Sequence, residues 1–242
     1  LQRRHSRRIH IPWDYDQAQE SAQEMFDLIW NFKFLPPGRG LWRMGTPFIH
    51  ERLIPEALQN CAFVSTFRLS SERADPFAFL MNMTMLGIGV GFDTRGAGTI
   101  HVHRPHALSS LHVVPDSREG WSDSVRMLIN SYLRPNQPSV RFNYDLVRAK
   151  GTPIRGFGGT ASGPGPLMAA HETMRSLLEG AVGTYITSTL IVDLMNIIGR
   201  CVVAGNVRRT AEIALGSAYD EAFLDLKNAA KFFQMSQGIQ QI

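Results

Sequence analysis

Apolar positions along this chain alternate between short runs and longer stretches with helical period. Ala18, Ala22, Met25, Phe26, Ile29 and Trp30 recur at helical spacing behind Asp14 or Asp16, either of which can serve as N-cap. F-L-P-P-G-R-G-L-W-R-M-G-T-P at 34–47 is expected to exclude a helix, because of its prolines and glycines. N-C-A-F-V-S-T-F at 60–67 reads as a buried strand, and residues 74–86 as a buried helix with Pro76 in its first turn. G-I-G-V-G-F-D at 87–93 is a second strand, with glycines where something must approach the backbone.

Residues 94–146 are less regular. V-P-D-S-R-E-G-W at 114–121 opens a helix with Asp116 or Ser117 as N-cap and Glu119 in the first turn. Val125, Leu128, Ile129 and Tyr132 supply its apolar stripe, and S-V-R-F-N-Y-D at 139–145 looks like a strand. Helices are predicted over 166–180 and 187–201, a glycine turn leading into a strand within 202–216, and a last helix over 219–234. Strands alternating with helices, without an all-β period, predict an α/β architecture.

A length of 242 residues allows one large domain or two small ones with a real core. The net charge of +4 lies partly in the first ten residues and partly in Arg/Gly segments, which suits anionic ligands. No long basic stripe interleaved with aromatics points to nucleic acid. No apolar run reaches membrane-span length and no signal peptide is visible. Two cysteines suggest a reducing, cytoplasmic setting rather than a disulfide scaffold. His101, His103, His106 and His112 lack a helical i, i+4 pair or a nearby cysteine, so a loop and edge strand is expected there and no metal site. The chain opens on Leu1 and stops on a polar Q-Q-I, which suggests a fragment.

The most chemically suggestive stretch runs from Arg148 to Leu167, R-A-K-G-T-P-I-R-G-F-G-G-T-A-S-G-P-G-P-L. Arg148 and Arg155 flank Lys150, and a Gly/Ser/Thr run leads into a predicted helix. Successive N–H groups beside a helix start form an anion site, and arginines add bidentate phosphate recognition. The spacing is neither Walker A nor G-x-G-x-x-G. On these residues alone, a held phosphate and a plain connector with solvent-facing arginines both remain open.

Several motifs together resemble one family. L-P-P-G-R-G-L-W, N-C-A-F-V, G-I-G-V-G-F, V-P-D-S-R-E-G-W, the Arg148–Leu167 stretch and V-V-A-G-N-V-R-R-T-A-E-I-A-L-G occur in an order similar to the adenosylcobalamin-dependent (class II) ribonucleotide reductases. The likeness is greatest to the monomeric ribonucleoside-triphosphate reductase branch. It implies the first half of a ten-stranded α/β barrel at 34–242, preceded by an arm and helix at 1–33, with an insertion at about 94–146. It implies reduction of ribonucleoside triphosphates to 2′-deoxyribonucleoside triphosphates by a thiyl radical that adenosylcobalamin initiates, under a deoxynucleotide effector. Thioredoxin or a similar dithiol would serve as reductant, and the intact enzyme would be a monomer.

By the same resemblance, Cys61 is the first cysteine of the redox pair, Asn60 lines the ribose through its backbone, and Thr46 offers a hydroxyl to a substrate phosphate. Arg148 and Arg155 hold the effector's phosphates. Gly205, Asn206 and Arg209 belong to a loop between effector and substrate base, in which Arg208 meets substrate. The family's radical cysteine, second redox cysteine and most of the cobalamin site lie beyond this stretch, so the fragment alone is expected to be inactive. Cys201 matches none of the family's cysteines and reads as a core residue. The competing expectation is a non-catalytic nucleotide-binding relic.

Overall fold

The structure, a computed structural model, describes residues 10–154, 159–204 and 211–228. It divides into two units, one ending at Gln59 and the other beginning at Asn60. In the first unit, helix α1 (Tyr15–Trp30) starts at Asp14, whose carboxylate accepts from the Gln17 N–H at 3.0 Å. None of its residues is buried, and Phe26 stacks on Trp30 at 5.8 Å on the exposed side.

The 34–47 stretch is corrected here, because it holds a six-residue helix, α2 (Gly38–Arg43), and leads into α3 (Pro47–His50). Pro36 and Pro37 precede α2 instead of interrupting it. Pro37 stands at the N-cap with an extended ψ of 141°, where its missing N–H costs nothing. Arg43 is buried at the end of α2, its guanidinium 3.7 Å from the Trp42 ring centroid.

In the second unit, β1 (Cys61–Val64), β2 (Gly89–Asp93) and β5 (Glu212–Leu215) form a parallel sheet in the order β1-β2-β5. Between β1 and β2 run α4 (Leu69–Glu72) and α5 (Asp75–Met85). Between β2 and β5 lie β3 (His106–Val113), α6 (Arg118–Leu133), β4 (Pro138–Asn143), α7 (Gly165–Gly180) and α8 (Ser188–Val203). β3 and β4 pair in parallel with α6 as their crossover. The α/β class is as the alternation predicts, and among the described residues the strands pair in parallel.

Local chemistry accounts for the helix bounds. Ser117 caps α6 by accepting from the Gly120 N–H at 2.9 Å, and Thr187 caps α8 by accepting from the Leu190 N–H at 3.1 Å. Val125, Leu128, Ile129 and Tyr132 are all buried, as their spacing predicts. They share one core with Phe77, Met174, Leu194 and Ile198 from α5, α7 and α8.

The helix expected over 219–234 is a second correction. Among the described residues it is only α9 (Glu221–Leu224), capped by Asp220, tightening into a 3-10 turn at Asp225–Lys227. Asn228 then turns extended, with ψ at 102°, and ends it. The 60–67 strand is also shorter, because Ser65 and Thr66 leave the ladder to bond Asp93, and only its Ala62 and Val64 side packs against the core.

Candidate active site and anion-binding cavity

Strand register divides the three-stranded sheet into two chemically different faces. Cys61 pairs with Gly89, Phe63 with Gly91, and Gly91 with Ile213, so these positions share one face. Cys61, Phe63, Ile213 and Leu215 are all exposed there. A β-carbon on Gly91 would stand 2.9 Å from Phe63 Cδ2 and 3.2 Å from Ile213 Cγ2. Glycine in β2 therefore lets the two flanking side chains close over the strand while the thiol stays open.

Asp93 fixes this register from the end of β2. Its buried carboxylate accepts from Ser65 Oγ at 2.6 Å, the Thr66 N–H at 2.7 Å and Thr66 Oγ1 at 2.9 Å. Burial alone would raise its pKa, but the bonds from Ser65, Thr66 and the Arg95 N–H outweigh it and hold the carboxyl below the usual aspartate range. Asn60 sits just before Cys61 and its carbonyl accepts from the Gly89 N–H at 3.0 Å. Thr46, in the first unit, donates its hydroxyl to the Arg43 carbonyl at 2.7 Å.

The other face packs against helices. Ala62, Val64, Val90, Phe92 and Ala214 join the core, and Glu212 points the same way, its carboxylate against Gly199 of α8. Both Glu212 carboxylate oxygens are buried without a hydrogen-bond partner among the described residues, and burial pushes this carboxyl up to about 7. Cys201 is buried in α8, where burial pushes its thiol up to about 12. Cys61 and Cys201 thus lie on opposite sides of the sheet, and Cys201 reads as core, as the sequence predicts.

A cavity of about 980 Å³ opens between β4, the segment after it and the start of α7. Arg141, Tyr144, Asp145, Arg148, Pro164 and Met168 are among its lining residues. Arg148 donates through Nε to Asp116 Oδ2 at 2.6 Å, with both side chains about one-third exposed. Pro164 at the N-cap of α7 gives no side-chain acceptor to the helix start. Gly163 has φ +75°, and a β-carbon there would stand 3.0 Å from the Lys150 backbone nitrogen, so the glycine lets Lys150 sit close beneath the turn.

Behind this cavity runs a buried polar chain that motif reading does not single out. His171 of α7 lies 2.7 Å through Nδ1 from the Tyr144 hydroxyl and 3.1 Å through Nε2 from Ser124 Oγ. Its ring stacks on Phe142 with centroids 4.3 Å apart. Burial, then the nearby Arg175 and His112, push His171 down to about 3, so it stays neutral. A polar residue on the inner face of a predicted helix is the signal that could have found it.

Arg155, Gly205, Asn206, Arg208 and Arg209 lie outside the described residues. Cys61 and Asn60 stand together at the start of β1, while Arg148 lines a cavity at the end of the β3–β4 pair. Among the described residues no group of three or more His, Cys, Asp or Glu could hold a metal ion. His101 bridges to Tyr185 and His106 opens β3. No helix among the described residues is long and apolar enough to cross a membrane.

Comparison with known proteins places this geometry. Residues 1–46 match the family model for the ribonucleotide reductase alpha domain, and residues 95–178 that for the insertion domain of B12-dependent ribonucleotide reductase. An adenosylcobalamin-dependent ribonucleoside-triphosphate reductase of Euglena gracilis is 47% identical over 91% of this chain and 30% of that protein. One from Levilactobacillus brevis is 31% identical over 85% of this chain and 35% of that protein. A crystal structure of a B12-dependent (class II) ribonucleotide reductase superposes with a TM-score of 0.75 at 26% identity, over 93% of this chain and 38% of that one. The chain spans about a third of the length of the curated relatives it matches. With two family models, close relatives and a shared fold in agreement, this chain belongs to the adenosylcobalamin-dependent (class II) ribonucleotide reductases.

Proposed function

We propose that the intact protein reduces ribonucleoside triphosphates to 2′-deoxyribonucleoside triphosphates for DNA synthesis, with Cys61 supplying one of the two reducing thiols. The observation that carries this reading is the open-face position of Cys61 beside a glycine strand, in a chain 47% identical to a reductase of that name. The balance is simple. The ribose C2′–OH bond breaks and a C2′–H bond forms; the hydroxyl leaves as water, and two thiols become one disulfide. The second thiol is not Cys201, which is buried on the far side of the sheet. It belongs to another part of the intact enzyme. Thioredoxin or a similar dithiol then restores both thiols by exchange.

The open face does not suit adenosylcobalamin, the cofactor in the relatives' names. Cys61, Phe63, Ile213 and Leu215 are a thiol and three hydrocarbons, and Asp93 is committed to Ser65 and Thr66. This set does not fit the many amide side chains of a corrin, so its site is assigned to other parts of the intact protein and no step is derived through it. Residues 34–242 are read as the first half of the reductase barrel, with an insertion at about 94–146; the insertion-domain family match starts at the same place, residue 95, but runs on to residue 178. The cavity at Arg148 is read as the deoxynucleotide effector site, with Arg155 as a second phosphate ligand. Gly205, Asn206, Arg208 and Arg209 are read as the relay to substrate, on which Thr46 and Asn60 also act. A cytoplasmic monomer is the expected working form.

The test is direct assay of the intact protein with ribonucleoside triphosphate, adenosylcobalamin and a dithiol. Formation of the 2′-deoxy product supports the reading. Nucleotide binding without product would make the protein a non-catalytic binding module.

A further inference from the structure

The buried chain behind the Arg148 cavity has a fixed hydrogen-bond polarity, and that polarity reaches the cavity wall. Ser124 has one hydroxyl proton, and its Oγ lies 2.7 Å from the Trp121 carbonyl, which can only accept. Ser124 therefore donates to Trp121, and its contact with His171 must be one in which it accepts from the Nε2–H. His171 then carries its single proton on Nε2, which leaves Nδ1 as an acceptor for the Tyr144 O–H. The imidazole stays neutral and Tyr144, pushed up to about 12 mainly by burial, stays a phenol, so the order of donors does not reverse near neutral pH. With its proton committed inward, the Tyr144 oxygen has only acceptor capacity left, and Tyr144 lines the cavity.

We propose that Tyr144 is a specificity-determining residue of this cavity, accepting a hydrogen bond from an N–H or O–H donor on the nucleoside part of a bound nucleotide. This rests on the reading of the cavity as a nucleotide site. Arg141 and Arg148 bring the positive charge that suits phosphates, against the carboxylate of Asp145, while Phe142 and Tyr144 add two aromatic rings to the lining. A donor of this kind is either a nucleobase amino group or a sugar hydroxyl. Either satisfies an oxygen that can only accept, and a group that can only accept does not.

The experiment uses the intact protein and equilibrium binding of four probes. These are 2′-deoxyadenosine triphosphate, its analogue lacking the base amino group, its 2′,3′-dideoxy analogue lacking the sugar hydroxyl, and inorganic tripolyphosphate. The unaltered protein should bind one of the two analogues about tenfold more weakly than the parent, as loss of one hydrogen bond predicts. Tyr144→Phe should weaken the parent by a similar factor, abolish discrimination against that analogue and leave tripolyphosphate binding unchanged. The identity of the sensed analogue tells the base amino group from the sugar hydroxyl. Unaltered discrimination in Tyr144→Phe, or no discrimination in the parent protein, overturns the inference. Loss of tripolyphosphate binding in Tyr144→Phe does so too, by making Tyr144 structural. If nucleotide binding is indifferent to both Tyr144→Phe and Arg148→Ala, the reading of the cavity itself falls.

Discussion

Glu212 of β5 rests its carboxylate directly on the bare backbone of Gly199 in α8, and neither carboxylate oxygen has a hydrogen-bond partner among the described residues. A side chain at Gly199 would displace the carboxylate, so helix and strand come together here because one residue has no β-carbon. The contact carries an electrostatic cost, since a buried carboxylate without partners holds its proton more tightly than it does in the unfolded chain.

That cost predicts a pH dependence. The carboxyl moves from an ordinary 4.5 up to about 7 on folding, so its contribution to stability is intact below about 4.5 and is lost as pH rises to about 7. The loss is roughly 2–3 kcal/mol at pH 8. Glu212→Gln should raise stability by that order at pH 8 and change it little at pH 5. Denaturant unfolding at the two pH values checks this, and equal effects at both would show that the carboxyl titrates normally.

Asp93 is predicted to behave in the opposite sense. Its carboxyl is held below the usual range, so its contribution is present above that range and fades as pH falls through it. Asp93→Ala should destabilise by roughly 3 kcal/mol at neutral pH, because the Thr66 N–H and the Ser65 and Thr66 hydroxyls lose a buried charged acceptor. Unfolding curves at pH 7 measure it, and a change below about 0.5 kcal/mol would remove Asp93 from its role in fixing β1 to β2.

Arg148 offers a cleaner separation of binding from structure. If it holds an effector phosphate, Arg148→Ala should weaken deoxynucleotide binding by about one to two decades, the worth of one charge-assisted contact. Asp116→Asn breaks the same ion pair but leaves the guanidinium in place, so nucleotide affinity should hold or improve. Titration calorimetry on both variants decides the matter. Equal weakening in both would make the ion pair, and not phosphate binding, the role of Arg148.

Much of this was legible because local signals and tertiary demands agree. The caps at Asp14 and Ser117, each one of two candidates, and the stripe Val125–Tyr132 are written in the local sequence. The α2 helix departs from the expectation because proline excludes helix only from the interior, and Pro36 and Pro37 stand before the first turn. The one-sided burial of β1 is not legible because an apolar run looks alike whether one face or two are covered. The contacts made by the polar residues Asp93, Glu212 and His171 are hidden for another reason. Their partners lie 13 to 47 residues away, at Thr66, Gly199 and Ser124, and no local spacing announces such a contact.

The central claim, that Cys61 reduces substrate from the open face of the sheet, is tested most directly by dithiol-dependent turnover of Cys61→Ser in the intact enzyme. The serine preserves shape on an exposed position, so folding should be unaffected. It cannot form the disulfide that closes each cycle, so multiple-turnover formation of 2′-deoxynucleotide with thioredoxin or a similar dithiol should stop. Steady-state deoxynucleotide formation equal to that of the unaltered enzyme would remove Cys61 from the reaction and contradict the account.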